Sequence, residues 1–143
     1  MATVNAYLVF NGDCEAAFNF YKNVFGKEFS SFSRFSDIPA SEDMPMPIPE
    51  ESKNLVMHVS LPISKETILM GSDANPNMGS VIFGHNVSLA VATETKEEAD
   101  KIFQGLSEGG KITMPMADTF WGAYFGMIDD RFGNSWMVNC DAK

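Results

Sequence analysis

The sequence predicts an α+β fold: two βαβββ modules forming a curved eight-stranded mixed sheet around a cup, with the helices outside. One observation is a repeated hairpin. Residues 121–128 and 135–140 are strand-like runs flanking the turn formers Asp129–Asn134, and residues 54–63 and 67–70 flank a similar break at 64–66. Moved by 68 positions, the early hairpin lies on the late one without a gap, so that Leu69 falls on Met137 and Asp73 on Asp141. A second observation is that each hairpin follows the same series of strand, amphipathic helix and strand. A third is the Gly/Asn/Pro/Ser stretch at 72–80, a natural joint. Residues 1–143 are therefore expected to form one domain of modules 1–73 and 81–143 with linker 74–80.

Each element has a local reason. Residues 4–10 are an apolar run rich in β-branched and aromatic side chains, ended by Asn11-Gly12-Asp13. Asp13 is placed to cap a helix whose buried face is expected at Ala16, Ala17, Phe20, Tyr21 and Val24, and Gly26 stops it. Residues 29–35 read as a strand, although Phe29, Phe32 and Phe35 recur at a spacing that also suits a helix. Residues 37–53 carry prolines at 39, 45, 47 and 49 and acids at 42, 43, 50 and 51, which leaves a loop with no regular element. In the second half, residues 86–91 alternate through Val87, Leu89 and Val91. Thr95 and Glu98 form a capping box that opens a helix burying Ala99, Ile102, Phe103 and Leu106, ending at Gly109-Gly110. A strand at 111–116 leads into the late hairpin.

Composition excludes several function classes. The chain has 143 residues, 45% hydrophobic, and a net charge of −9 with only ten Lys and Arg, scattered singly. No basic face for nucleic acid is expected. No apolar run approaches the roughly 20 residues of a membrane span, and the first ten residues have no secretory pattern. Cys14 and Cys140 sit in no metal spacing, which fits a reducing cytoplasm.

Three phrases carry a family resemblance: AYLVFNGDCEAAFNFYKNVFG near the start, VMHVSL followed by ILMGSD, and FWGAYFGMIDDRFGNSWMV near the end. Together they resemble the PhnB-like branch of the vicinal-oxygen-chelate superfamily. That superfamily includes glyoxalase I, the bleomycin- and fosfomycin-resistance proteins and the extradiol dioxygenases. The resemblance covers nearly the whole chain and implies paired βαβββ modules, usually in a homodimer, with a small-molecule site. Members of this branch are often labelled as similar to a demethylubiquinone methyltransferase. No GxGxxG-type loop follows a strand here, so methyl transfer by a Rossmann-type cofactor domain is not supported.

In metal-using relatives, four ligands come from the first and last strands of each module. The internal repeat puts the counterparts at Asn5, Asn86, Leu69 and Met137. Two amides and two apolar side chains cannot replace a histidine and carboxylate set. A divalent metal is therefore not supported at those positions, and no cofactor is predicted. His58 is the candidate acid–base group, with a repeat counterpart at Gly126; its other reading is a packed histidine. His85 is expected at a strand entrance in water. Trp121 and Phe125 are expected on one sheet face and Tyr124 on the other, with the cup side undetermined. Asp129, Asp130 and Arg131 are expected to hold the late turn. Cys14 lies at a helix start, where the dipole can lower a thiol pKa.

The resulting expectation is a metal-free cup that binds a small molecule through Asn5, Tyr7, His58, Leu69, Asn86, Trp121, Phe125 and Met137. The alternative is an enzyme of lyase, isomerase or dioxygenase type, using His58 or a metal held by other residues.

Overall fold

The computed structural model describes residues 2–38, 48–75, 77 and 79–141. The chain divides into two compact units, Met1–Ile82 and Phe83–Lys143. Unit 1 contains β1 (Tyr7–Phe10), α1 (Cys14–Phe25), β2 (Ser31–Arg34), β3 (Val56–Pro62) and β4 (Ile68–Asp73). Unit 2 contains β5 (Leu89–Thr93), α2 (Lys96–Ser107), β6 (Lys111–Asp118), β7 (Ala123–Asp129) and β8 (Ser135–Asp141). Each unit has one four-stranded mixed sheet, in the orders β1-β4-β3-β2 and β5-β8-β7-β6. In both, the first strand runs parallel to the last and the other pairs are antiparallel. The same βαβββ topology is thus built twice.

In unit 1 the helix is held by a carboxylate from β4, the strand paired with β1. Asp13 occupies the N-cap position of α1 but makes no side-chain cap bond. Asp73, at the end of β4, accepts instead from the amides of Gly12 at 2.9 Å and Cys14 at 3.0 Å. Its second oxygen accepts from the amide of Val56 at 2.9 Å. A residue 59 positions away from Cys14 therefore does the work expected of a local cap. The other end of α1 follows the sequence: Gly26 takes the left-handed conformation and its amide returns to the carbonyl of Lys22.

The buried face of α1 is Cys14, Ala17, Phe18 and Tyr21, one residue round from the expected stripe. Ala16 is exposed, while Phe20 and Val24 are half-buried. Phe18 meets Phe10 and Tyr21 edge-on, with ring centroids 6.1 and 5.5 Å apart. It lies so close to the sheet that a Cβ on Gly71 would stand 2.6 Å from its ring. Gly71 is the position where the helix touches the backbone of β4.

Unit 2 follows its local signals more closely. Thr95 accepts from the amide of Glu98, one half of the expected capping box, while the Glu98 carboxylate accepts from the amide of Glu94, not from that of Thr95. The helix α2 buries Ala99, Ile102, Phe103 and Leu106. Val87 lies outside β5 and is 68% exposed, so this strand begins later than its alternation suggested. The late turn is built around Asp130. Its carboxylate accepts from the amides of Phe132 and Asn134 and from the indole Nε1 of Trp136 at 2.8 Å. Arg131 donates to the carbonyl of Glu108. These side chains hold the hairpin rather than present chemistry. The expectation of no regular element over 37–53 fails at Glu50–Ser52, a short 3₁₀ turn within the segment; another, Phe35–Asp37, runs into its start, and residues 39–47 fall outside the described residues.

Asp73 is 2% exposed and serves three amides, so its removal strands all three. Asp73→Ala is expected to lower the unfolding free energy by about 3 kcal/mol or more. Asp73→Asn, which keeps one acceptor oxygen, is expected to lose less. Urea denaturation of the three proteins checks the order.

Candidate functional site

Each helix covers one face of its sheet, and strand alternation then decides which side chains point the other way. In unit 1, Phe10, Gly71 and their alternates Leu8, Leu69 and Asp73 belong to the α1 side. Tyr7, Val9, Met70 and Ser72 therefore project from the opposite, open face. Strand register extends this face across the sheet. Ser60 pairs with Met70 and with Ser31, while Met70 pairs with Tyr7. His58 pairs with Ser33 and shares its face with Ser72, which lies one position past the Val59–Gly71 pair. The open face thus carries one row of Ser31, Ser60, Met70 and Tyr7, and beside it a row of Ser33, His58, Ser72 and Val9.

His58 is half-buried in this face. Its Nε2 lies 2.8 Å from Oγ of Ser60, which is 8% exposed, and its ring centroid is 5.9 Å from that of Tyr7, tilted by 34°. The hydroxyl can donate to the nitrogen or accept from it, according to the tautomer. Either way the ring is fixed in place, and a group that can give and take a proton is presented beside an aromatic ring.

The open face of unit 2 is different in character. Gly126 lies under Phe103 of α2, and Tyr124 donates to Asp100 of the same helix at 2.6 Å. Phe125 and Met127 therefore point away from α2, with their partners Asn139 and Met137. Met114 and Ala117 join them from β6, and Ala90 from β5. Trp121, in the turn before β7, is 58% exposed and meets the Phe125 ring edge-on at 6.0 Å. This is an aromatic and thioether platform with one amide.

Of the residues singled out from sequence, Tyr7 and His58 meet on the open face of unit 1. Trp121, Phe125 and Met137 share the open face of unit 2. The other three lie elsewhere. Leu69 is 5% exposed and packs on the α1 side. Asn5 precedes β1 and accepts from the amide of Ile68 at 3.1 Å, holding the start of β4. Asn86 is exposed in the bend before β5. The repeat offset explains the shift. Ser60 pairs with Met70 as Met127 pairs with Met137, and Val59 with Gly71 as Gly126 with Val138, so the hairpins differ by 67 positions, not 68. Met70 is the true counterpart of Met137, and Phe125 that of His58. Ser60 was within reach of period-two alternation from His58. Ser33 and Ser72 needed the register, which no local signal supplies.

The inherited metal chemistry does not fit these residues. The open-face side chains of the first and last strands are Tyr7, Val9, Met70 and Ser72 in unit 1 and Ala90, Ala92, Met137 and Asn139 in unit 2. A divalent ion of this kind takes imidazole and carboxylate ligands. Among the described residues no group of three or more His, Cys, Asp or Glu could hold an ion. The α1 N-terminus is no anion site either, since Asp73 already fills it. Cys14 is likewise no nucleophile: burial first, and then the neighbouring Asp73 charge, push its thiol far above the ordinary range. His85 is exposed, in a bend.

Among the described residues, no helix is long and apolar enough to cross a membrane. The family model of 3-demethylubiquinone-9 3-methyltransferase matches residues 2–139. The chain is 32% identical to the protein YjdN of Escherichia coli strain K12 over 143 residues, covering 95% of this chain and 93% of YjdN. The crystal structure of PA1353 from Pseudomonas aeruginosa is similar at a TM-score of 0.84 with 35% identity, over 100% of both chains. The PhnB protein of Bacillus cereus follows at 0.72 with 28% identity, over 97% of this chain and 99% of that one. The fold is also that of the fosfomycin resistance protein FosX of Listeria monocytogenes, whose crystal structure holds Mn(II) and sulfate. Its TM-score is 0.64 with 11% identity, over 99% of this chain and 93% of that one.

The Tyr124–Asp100 bond gives a pH signature on the helix side. The hydrogen bond to Asp100 is the main cause raising the phenol above its usual pKa. A raised value means stability fully present below the unfolded-state pKa of about 10 and lost as pH rises through the folded value. Tyr124→Phe is expected to be less stable than the parent by under about 1 kcal/mol at neutral pH, given the solvent contact of this pair. The gap should close above about pH 10, read by denaturant melts across the alkaline range.

Proposed function

The chain belongs to the family described as 3-demethylubiquinone-9 3-methyltransferase, the PhnB-like branch of the glyoxalase superfamily, and from that premise we propose that it binds a small molecule on the open face of unit 1. The observation that carries this reading is His58, half-buried on the sheet face turned away from α1 and held by Ser60 against Tyr7. Packing alone does not call for a histidine there. Tyr7 and Met70 offer apolar contact, and the serines offer hydrogen bonds. The platform of Trp121, Phe125, Met127 and Met137 in unit 2 is a second apolar surface suited to a ring. Methyl transfer finds no support in the fold, because neither βαβββ unit has a glycine-rich strand-to-helix loop for such a cofactor.

A second reading is favoured by the 2.8 Å His58–Ser60 contact. An imidazole held in one orientation can act as acid or base on a bound substrate, so the face would serve a lyase or isomerase that needs no metal. The protein is further proposed to be a homodimer and cytoplasmic. The first is supported by Ile112 and Met114, exposed on the edge strand β6. The second is supported by the two free, buried cysteines.

A thermal-shift screen of small metabolites and divalent metals tests the binding reading. A true ligand at about 100 times its Kd adds about 2.7 kcal/mol and raises Tm by several degrees. That gain is expected to fall by more than half in His58→Ala and to persist in His85→Ala. Protein purified without chelators is expected to carry no stoichiometric divalent ion. A stoichiometric ion that leaves on His58→Ala would overturn the metal-free reading.

A further inference from the structure

We infer that the ligand function seated at His58 is uncharged, a carbonyl, amide or hydroxyl oxygen rather than a carboxylate, phosphate or ammonium. This rests on the proposed His58 site and names its ligand class. The first ground is the ring of hydroxyls around the imidazole. Ser33 stands opposite His58 across the β2–β3 pair, Ser72 lies on the same face one position past the Val59–Gly71 pair, and Ser60 is two positions along the same strand. Side chains directly opposite on one face have Cβ atoms about 4.5–5.5 Å apart, within reach of a shared ligand atom. Ser60 is engaged with Nε2. Ser33 and Ser72 are half-buried, and among the described residues their hydroxyls make no side-chain hydrogen bond. Two hydroxyls free to turn, beside an imidazole, can each donate or accept.

The second ground is the lack of formal charge on this face. Its described strand residues are Tyr, Val, Ile, Met, Ser, His and Pro, with no Asp, Glu, Lys or Arg. The nearest strand cation, Arg34, is turned to the α1 side. There it forks onto both oxygens of Glu15, at 3.0 and 2.7 Å, and donates to the carbonyl of Asn54. A charged ligand group brought to a half-buried face loses hydration, and only an opposite charge repays that loss well. An anion meets no cation among the described strand residues of this face and joins a chain of net charge −9. An ammonium finds no carboxylate among the same described strand residues, and the Tyr7 ring beside His58 is short of a cage. A neutral oxygen function pays the least and can use every hydroxyl.

The test compares benzamide, benzoate and benzylamine, which share a ring and differ in charge. The chain contains two histidines, so imidazole NMR signals report His58 against His85 as an internal control. Benzamide is expected to move the His58 signals saturably, to leave His85 in place, and to bind at least 10-fold more tightly than the two charged probes. Ser72→Ala and Ser33→Ala are each expected to weaken benzamide by roughly 3- to 10-fold. Benzoate or benzylammonium moving His58 at equal or lower concentration overturns the uncharged class while leaving His58 as the site. No movement of His58 with any of the three overturns both. Benzamide binding that is unchanged in the Ser33→Ala, Ser72→Ala double variant also overturns the inference.

Discussion

One carboxylate sets the geometry on which unit 1 depends. Asp73 is buried at the end of β4, where it meets the start of α1 and the start of β3. A buried carboxylate is tolerated only when its oxygens are fully used, and three amides do that here. The bond to Cys14 also satisfies a helix N-terminal amide that has no partner within the helix. Because α1 is tied to β4 at this point, Phe18 descends onto Gly71, and one face of the sheet is closed. The other face points away from α1, and His58 is on it.

The two units solve the same topological problem with different chemistry. Unit 1 spends its buried acid on the helix start. Unit 2 caps its helix locally through Thr95 and spends its buried acid, Asp130, on the hairpin turn and the Trp136 indole. The open faces have diverged as well. In matching register, His58 corresponds to Phe125, Ser60 to Met127 and Ser72 to Asn139, while Met70 and Met137 agree. A polar, titratable face and an apolar aromatic face have thus been drawn on one strand pattern. Among the described strand residues, neither face brings together a set of histidines and carboxylates.

Much of the fold was legible in the chain. Apolar periodicity, the Thr95–Glu98 box, Gly26 and the two hairpin breaks are local signals, and they placed both helices and most strands. The site was only partly legible. His58, Tyr7, Trp121, Phe125 and Met137 stand out by residue type. Leu69 was misplaced because a gapless alignment at offset 68 is one residue too long, and in a strand one residue is the difference between faces. Asn5 and Asn86 looked like anchors because they match each other, yet both lie before their strands, Asn5 bonded to the Ile68 amide and Asn86 exposed.

By itself the sequence determined the repeat, the order of elements and the types of side chain available, because these depend on contacts within a few residues or on counting. Only the tertiary structure decided which side of each sheet is covered, that Asp73 rather than Asp13 caps α1, and that Ser33 and Ser72 flank His58. Those facts depend on pairing between strands far apart in the chain, and a register shift of one residue, invisible in composition or periodicity, reverses every one of them.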